Sequence, residues 1–400
     1  MKNSFGKFWL LVTIIFMDLL AGMEFDLFVP SFPELQSHFN LTPFWVEALL
    51  SVNFIGYCLS LFFVGGLADR YGRKPIILWG LVIFILGSFL CLYSYFYHLL
   101  ILGRFLQGIG VAAPAVLSFL IIADLYPLKE QQVWMGILNG AINIAVAVSP
   151  VIGSYLTLYF NWQGNFVALL LLGLLTLFMT IFFIPFHKLA SNNPALPLAG
   201  YRSIIKSKPL MLLITNILLL YVPYWVFVGM SPLLYIKDLN VSLAHFGYYQ
   251  GMLAFVFAIG SIAYGLMIRK HEFDQKRMLN LTLLILIMSL VTLSIVVLVE
   301  SKNPLFITLA FLPFVISEII PTVILYPLAL NFLPRVKARV SAMIQGARLI
   351  VTAFGVQMAG YFYQGTFQNI GIVLICFILV AGVTLYLVIN NKQLMNPKVA

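Results

Sequence analysis

Gly65-Gly66-Leu67-Ala68-Asp69-Arg70-Tyr71-Gly72-Arg73-Lys74-Pro75-Ile76-Ile77 places four charged side chains between two long apolar runs. The preceding run covers residues 45–67 and the following one 75–96. Each is long enough to cross a hydrocarbon core of about 30 Å as a helix. Gly65 and Gly72 permit close helix approach and a tight turn. The segment therefore reads as a short charged hairpin joining two membrane spans. Asp69, Arg70, Arg73 and Lys74 can form ion pairs that latch one conformation. Asp124, at the end of a later span, is a natural partner for one of these arginines.

Working outward, apolar runs of spanning length occur at 8–33, 45–67, 75–96, 99–123, 132–158, 164–185, 210–235, 246–268, 278–299, 304–327, 338–363 and 368–389. The pattern predicts an all-α polytopic membrane protein with twelve spans. Composition agrees: 62% of the 400 residues are hydrophobic and only 9% charged, against roughly a quarter charged in soluble domains. The first run follows Lys2 and Lys7 and lacks a small-residue cleavage site, so it is expected to be retained as a helix. Residues 186–209 carry three prolines and five basic or titratable-basic residues, the composition of a linker. The expected domains are a six-helix bundle over 1–185, a cytoplasmic linker over 186–209, and a second bundle over 210–400. Gly65-Gly-Leu-Ala-Asp-Arg and Gly265-Leu-Met-Ile-Arg-Lys lie 200 residues apart, which hints at a repeat.

The net charge is +10. In a soluble protein that excess suggests nucleic acid, but here the positive residues sit in short loops and no nucleic-acid partner is expected. With the N-terminus in the cytoplasm, 19 of the 23 Lys and Arg residues fall in cytoplasmic segments. Lys237 and Lys302 fall outside, and Arg104 and Arg348 lie within spans. The positive-inside rule then places both termini in the cytoplasm. Cys58, Cys91 and Cys376 all sit in apolar stretches and read as buried small hydrophobes. The five histidines lie near span ends or in loops without metal-ligand or nucleophile spacing. No cofactor, metal or enzymatic constellation is expected.

The Gly65–Ile77 stretch resembles the loop signature of the major facilitator superfamily almost position for position. Asp26-Leu-Phe-Val-Pro-Ser-Phe-Pro resembles the end of the first helix in bicyclomycin-resistance-type drug exporters. Asp18 falls where chloramphenicol-type multidrug facilitators carry another membrane carboxylate. Leu100-x-x-x-Arg104-x-x-Gln107-Gly108 is similar to the fourth-helix motif of drug:proton antiporters. Ser149-Pro150-Val-Ile-Gly153-Ser154 resembles the fifth-helix antiporter motif, with serine at two positions where that pattern has glycine. The resemblance implies two pseudo-symmetric six-helix bundles, exchange of protons for a small molecule, and a bacterial inner-membrane location.

The residues themselves support a proton-linked role. Three ionised carboxylates in one span, Asp18, Glu24 and Asp26, would cost about 8–10 kcal/mol to insert. The thirteen Leu, Ile, Phe and Val residues between Phe8 and Val29 return roughly 4–8 kcal/mol. The carboxylates must therefore face a wet cavity, pair with a cation or take up protons. On a helical wheel Asp18 and Asp26 lie about 80° apart and about 12 Å apart along the axis, with Glu24 about 160° from Asp26. Arg104 stays charged and needs a carboxylate or carbonyls; it is expected to anchor the first span or to sense protonation of Asp26 or Asp18.

Span-embedded charge is expected only in spans 1, 4, 10 and 11, the last two through Glu318 and Arg348. Spans 3, 6, 9 and 12 have none, and the resemblance implies that these four are outer supporting helices. Glu318 and Arg348 form a conceivable pair, and Arg348 shares a stripe with Gln345 and Thr352. Asn53 with Tyr57, Asn139 with Asn143, and Tyr221 with Tyr224 and Trp225 share helix faces. Together they suit an adaptable cavity for lipophilic molecules, or interhelical packing. Pro223, Pro232, Pro313, Pro321 and Pro327 are expected to kink spans beside that cavity.

The leading expectation is a monomeric exporter of lipophilic small molecules or drugs, driven by protons across the lipid bilayer. Export of one endogenous compound, such as a siderophore or amino acid derivative, would use the same machinery. A proton symporter importing a nutrient is the mechanistic rival, and a receptor or scaffold that moves nothing is the rival of another class.

Overall fold

The computed structural model describes residues 4–125, 128–186, 201–270, 274–333 and 337–395. The described residues are mostly helical, joined by short turns, with no strand among them. The long helices are α1 (Ser4–Asp26), α3 (Pro43–Tyr71), α4 (Arg73–Leu92), α5 (Tyr97–Leu125), α6 (Leu128–Phe183), α8 (Lys208–Pro232), α9 (Leu243–Lys270), α10 (Gln275–Leu298), α11 (Pro304–Phe332), α12 (Lys337–Phe362) and α13 (Phe367–Asn390). Short helices α2 (Phe32–His38), α7 (Tyr201–Lys206) and α14 (Lys392–Met395) join or end them.

Eleven helices among the described residues are long and apolar enough to cross a membrane. One of them accounts for two predicted spans. At 56 residues, α6 would run about 84 Å as a single rod, far beyond a bilayer core of about 30 Å. It is broken at Asn161, whose φ of 57° and ψ of −173° are not helical. Asparagine tolerates this left-handed φ better than most residues. The two arms of α6 are the fifth and sixth predicted spans.

Proline shapes the ends of two spans. After Asp26 the chain passes through a 3-10 turn, Val29–Ser31, before α2 begins at Phe32. Pro30 and Pro33 cannot donate the backbone hydrogen bonds that would carry α1 onward. Pro232 likewise hands α8 over to a π-helical turn, Leu233–Asp238. Both segments are followed by an asparagine with left-handed φ, Asn40 at 51° and Asn240 at 55°. Their separation of 200 residues matches the offset of the Gly65 and Gly265 segments.

Two compact units divide the chain: Met1–Pro197 with Leu243–Gly251, and Leu198–Ser242 with Met252–Ala400. Within the first, α5 packs on α4, α3 and α1, and α6 packs on α1 and α4. Within the second, α8 packs on α11, α12 and α13, and α10 packs on α11 and α13. At the end of the π turn Asp238 accepts a hydrogen bond from Tyr363. Burial, then this bond, pushes the Tyr363 phenol above its ordinary range, so it remains a donor.

Many large apolar side chains face outward, including Phe178, Leu284 and Val383. In water such a surface would associate; against lipid it is the stable arrangement. Cys376 belongs to this face: it is exposed, whereas Cys58 and Cys91 are buried. The expectation of three buried cysteines fails there because a lipid-facing helix need not bury its apolar residues in protein.

Small residues let the helices of the first unit approach closely. A Cβ at Gly108 would run into the carbonyl oxygen of Asn53, and one at Gly153 into that of Leu27. Both obstacles are backbone, which cannot rotate away. Gly108→Ala is expected to destabilise the protein by roughly 1–3 kcal/mol, the usual cost of overpacking. A lowered thermal unfolding midpoint in detergent would show it; an unchanged midpoint would mean that α3 and α5 separate freely.

Candidate functional site

The polar groups of the first unit gather where α1, α3, α4 and α5 meet. Arg104, on α5, is fully buried and forms an ion pair with the equally buried Glu24 of α1 at 2.8 Å. The same guanidinium nitrogen donates to Oε1 of Gln107 at 2.6 Å. Nε points at the carbonyl of Leu49 at 3.4 Å. The guanidinium carbon lies 4.0 Å from the centre of the Phe28 ring, a desolvated cation–π contact of about 2 kcal/mol. Helical spacing explains the Gln107 contact: positions i and i+3 lie on one face.

Asn53 of α3 ties the pair to a third helix. Its amide donates to Glu24 Oε1 at 2.6 Å and to the Arg104 carbonyl at 3.0 Å. Gln107 passes the network to α4 by donating to Ser88 at 2.8 Å, and Ser88 donates back to Phe84. The Cys91 thiol lies 3.7 Å from Gln107 Oε1. Glu24 Oε2, Arg104 Nη2 and Asn53 Oδ1 are buried without a protein partner. The cluster is thus strongly held at one edge and has unused donors and acceptors at the other, which leaves room for a second arrangement of the same groups.

The helical wheel set Glu24 apart from Asp18 and Asp26, and the structure separates their roles differently. Glu24 is the carboxylate that neutralises Arg104; neither Asp26 nor Asp18 is its ion-pair partner among the described residues. Asp18 is fully buried and accepts from Ser118 of α5 at 2.8 Å, with Oδ2 unpartnered. Asp26 is 1% exposed and its Oδ2 is also buried without a partner. It is near enough to Glu24 for the two charges to interact.

The Ser149–Ser154 segment packs against the chain at the end of α1 through Gly153, which lies on the Leu27 backbone. Both serines return their hydroxyls to the carbonyl one turn earlier, Ser149 to Ala145 at 2.7 Å and Ser154 to Pro150 at 2.8 Å. Satisfied in this way, they need no other partner in an apolar helix. Gly153 seats α6 against the Leu27 backbone, one residue past Asp26. With its amide nitrogen turned toward them, Asn165 donates to the carbonyls of both Gly153 and Leu27 at 3.2 Å.

One buried charge was not expected. Glu47 of α3 is fully buried and neither carboxylate oxygen has a partner. Restricting span-embedded charge to spans 1, 4, 10 and 11 is therefore wrong: the second span carries it too. The signal was present, since Glu47 lies inside the 45–67 run.

In the hairpin, Arg70 is exposed, Arg73 is 8% exposed and Gly72 takes a φ of 96°. Lys74 donates to the carbonyl of Ile181 at 2.6 Å. No atom would crowd a Cβ at Gly65, so helix contact does not require glycine there. The side chains of Asp69, Asp124, Asn139 and Asn143 lie outside the described residues. Tyr57 stands beside the Phe25 ring, 5.9 Å between centres.

In the second unit Tyr221, Tyr224 and Trp225 cluster on α8. Trp225 lies 6.0 Å from each of the two tyrosine rings. Arg348 of α12 places its guanidinium carbon 4.1 Å from the centre of the Tyr221 ring. Glu318 is 7% exposed. It does not pair with Arg348: among the described residues the single ion pair is Arg104–Glu24. The conceivable Glu318–Arg348 pair is absent because the Arg348 guanidinium is drawn to an aromatic face on α8.

Arg104→Lys tests whether this geometry matters. Lysine keeps the charge but loses the planar fork that reaches Glu24, Gln107 and the Leu49 carbonyl together. Transport is expected to fall at least about tenfold, the equivalent of about 1.4 kcal/mol, with membrane insertion retained. Wild-type transport in the variant would show that a point charge suffices.

The pattern of the Major Facilitator Superfamily matches residues 14–356. The chain is 30% identical over 193 residues to "Multidrug resistance protein MdtL" of Shigella dysenteriae serotype 1 (strain Sd197), covering 48% of each chain. It is 30% identical over 182 residues to the protein of that name in Escherichia coli (strain K12), covering 46% of this chain and 45% of the relative. The matches thus span about half the length of these curated relatives. Among solved structures, the fold is similar to a D-xylose-proton symporter, with a TM-score of 0.76 at 14% identity over 95% of this chain and 97% of the other. It is also similar to a bacterial homologue of the human lysosomal transporter Spinster, with a TM-score of 0.76 at 14% identity over 96% and 97%. At such identities the likeness is one of fold.

Proposed function

The chain belongs to the Major Facilitator Superfamily, a family of multi-pass membrane transporters, and we propose that it is a proton-coupled exporter of lipophilic small molecules working by alternating access. Its halves would be the bundles 1–185 and 210–400, joined by 186–209, with both termini in the cytoplasm of a bacterial cell and the inner membrane around it. The observation that carries this reading is the division of labour on α1. Glu24 is committed to Arg104, whereas Asp26 has no ion-pair partner among the described residues and keeps Oδ2 buried without a hydrogen bond.

A proton taken up by Asp26 removes a buried charge; its release requires that a cation or a solvating environment arrive. Exchange demands that proton and substrate disfavour each other's binding. A lone carboxylate beside the Leu27–Gly153 contact meets that demand, because movement of α6 against α1 changes its surroundings. The Arg104–Glu24–Asn53 cluster holds α1, α3 and α5 together while this happens. Asp18, on Ser118, is the second proton site, and the Asp69, Arg70, Arg73 and Asp124 set is the proposed latch.

The names of the MdtL relatives favour multidrug export. A dedicated exporter of an endogenous metabolite would use the same groups and differ only in substrate breadth. The test is uphill efflux from proteoliposomes of the purified monomeric protein under an imposed pH gradient, with the neutral lipophilic fluorophore N-phenyl-1-naphthylamine as probe. Movement of the probe against its gradient, with proton entry, is expected. Movement only down its gradient would overturn the coupling, and co-movement of proton and probe would establish symport.

A further inference from the structure

We infer that Arg348 anchors an anionic group of the transported molecule, so that the substrate class is an organic carboxylate on an aromatic or apolar body. This deepens the export reading above and rests on it.

The molecule contains its own comparison. Two arginines lie inside predicted spans, and the protein treats them differently. Arg104 is fully buried, has a carboxylate at 2.8 Å and accepts help from Gln107 and a backbone carbonyl. Arg348 is only partly buried, has no ion pair among the described residues, and keeps its Nε buried without a hydrogen-bond partner. Its one described contact is the Tyr221 ring. An aromatic face holds a guanidinium in place but does not cancel its charge. Glu318, on α11 of the same unit, forms no ion pair with it.

The Arg348 guanidinium carbon lies 4.1 Å from the centre of the Tyr221 ring, and a guanidinium whose donors are not spent on a protein carboxylate can give a substrate carboxylate two parallel hydrogen bonds. Thr352, one turn along α12, adds a buried hydroxyl without a partner on the same face. Tyr224 and Trp225 stand next to Tyr221, with Trp225 tilted 44° to the Tyr221 ring and edge-on to Tyr224. The site therefore offers one strong anion contact beside a cluster of aromatic rings. A permanent lipophilic cation would gain the rings but be repelled by the guanidinium.

The experiment compares three probes of similar size on the purified full-length protein in nanodiscs: 1-naphthylacetate, its methyl ester, and 1-naphthylethylammonium. Binding is read from tryptophan fluorescence and from the shift in thermal unfolding midpoint. The expected result is at least tenfold tighter binding of the carboxylate than of either other probe. Arg348→Gln should erase that preference, and Arg348→Lys should keep part of it. If Arg348→Gln does not fold, the wild-type preference and its reduction in Arg348→Lys decide the matter.

Equal binding of the three probes, preference for the ammonium, no binding of any, or a preference that survives in Arg348→Gln would each overturn the inference. Proteoliposome transport separates this outcome from the efflux reading. A carboxylate preference without proton-driven movement would leave the anion site standing and sink the exporter. Proton-driven efflux of the neutral fluorophore without a carboxylate preference would do the reverse.

Discussion

Asp26→Asn is expected to abolish uphill efflux while leaving downhill substrate exchange in place. Asparagine has nearly the size of the protonated acid and cannot ionise, so it holds the site in its proton-loaded form. Asp26 is 1% exposed and its Oδ2 meets no partner, so the substitution breaks no described side-chain hydrogen bond at that oxygen. Folding should survive, and only the linkage between the two ligands is removed. Such linkages are usually about 1–3 kcal/mol, or about 5–150-fold in affinity, and the full factor is at stake here. The wild type should release protons on binding substrate, and the variant should not. Asp18→Asn should be milder, because an amide oxygen can still accept from Ser118 and Asp26 remains. Efflux and substrate-induced proton release, measured for both variants across pH, decide between them. Uphill pumping by Asp26→Asn with a normal pH dependence would make Asp26 structural and pass the coupling role to Asp18 or Glu24.

Glu24→Gln is expected to damage the fold itself. It leaves the Arg104 guanidinium fully buried with no counter-charge, and breaking one side of a buried pair costs about 3–5 kcal/mol. The whole stability of a domain is about 5–15 kcal/mol, so yield in the membrane should drop sharply. Removing the second partner should help. In Glu24→Gln/Arg104→Gln no bare charge remains, and two amides can hydrogen-bond with Asn53 and Gln107. The double variant should therefore be more stable than Glu24→Gln alone, although inactive. Folded yield and unfolding midpoint for the wild type, Glu24→Gln, Arg104→Gln and the double variant complete a double-mutant cycle. A single variant as stable as the wild type would mean that the guanidinium is neutralised by something other than Glu24.

The spans were legible because a bilayer punishes polar backbone and charge so severely that apolar length alone marks a crossing. The expense of Arg104 and of the first-span carboxylates was legible for the same reason. Which carboxylate meets the arginine was not. A helical wheel for α1 knows nothing of α5; it placed Glu24 away from Asp26, and Arg104 was expected to answer Asp26 or Asp18. Ser118 as the partner of Asp18 lies 100 residues away, and a serine in a span carries no mark of its role. Glu47 was visible but passed over, since it stands only two residues into the predicted run. The break at Asn161 was anticipated as a gap between runs, yet the chain turns there with only one residue outside helical geometry.

The glycine seats under α5 and α6 also bear on how this transporter can evolve. Gly108 rests on the Asn53 carbonyl and Gly153 on that of Leu27, so neither position accepts a larger residue without moving a neighbouring backbone. A lineage under pressure to handle a new compound gains little by exploring those positions, where nearly every change threatens folding. The Tyr221–Arg348 neighbourhood is different: its side chains meet one another through rings and flexible ends, and these can be exchanged with smaller structural consequence. New specificities should therefore arise by substitution around α8 and α12, while the seats that hold the helices of the first unit together set the boundary of the sequence space open to them.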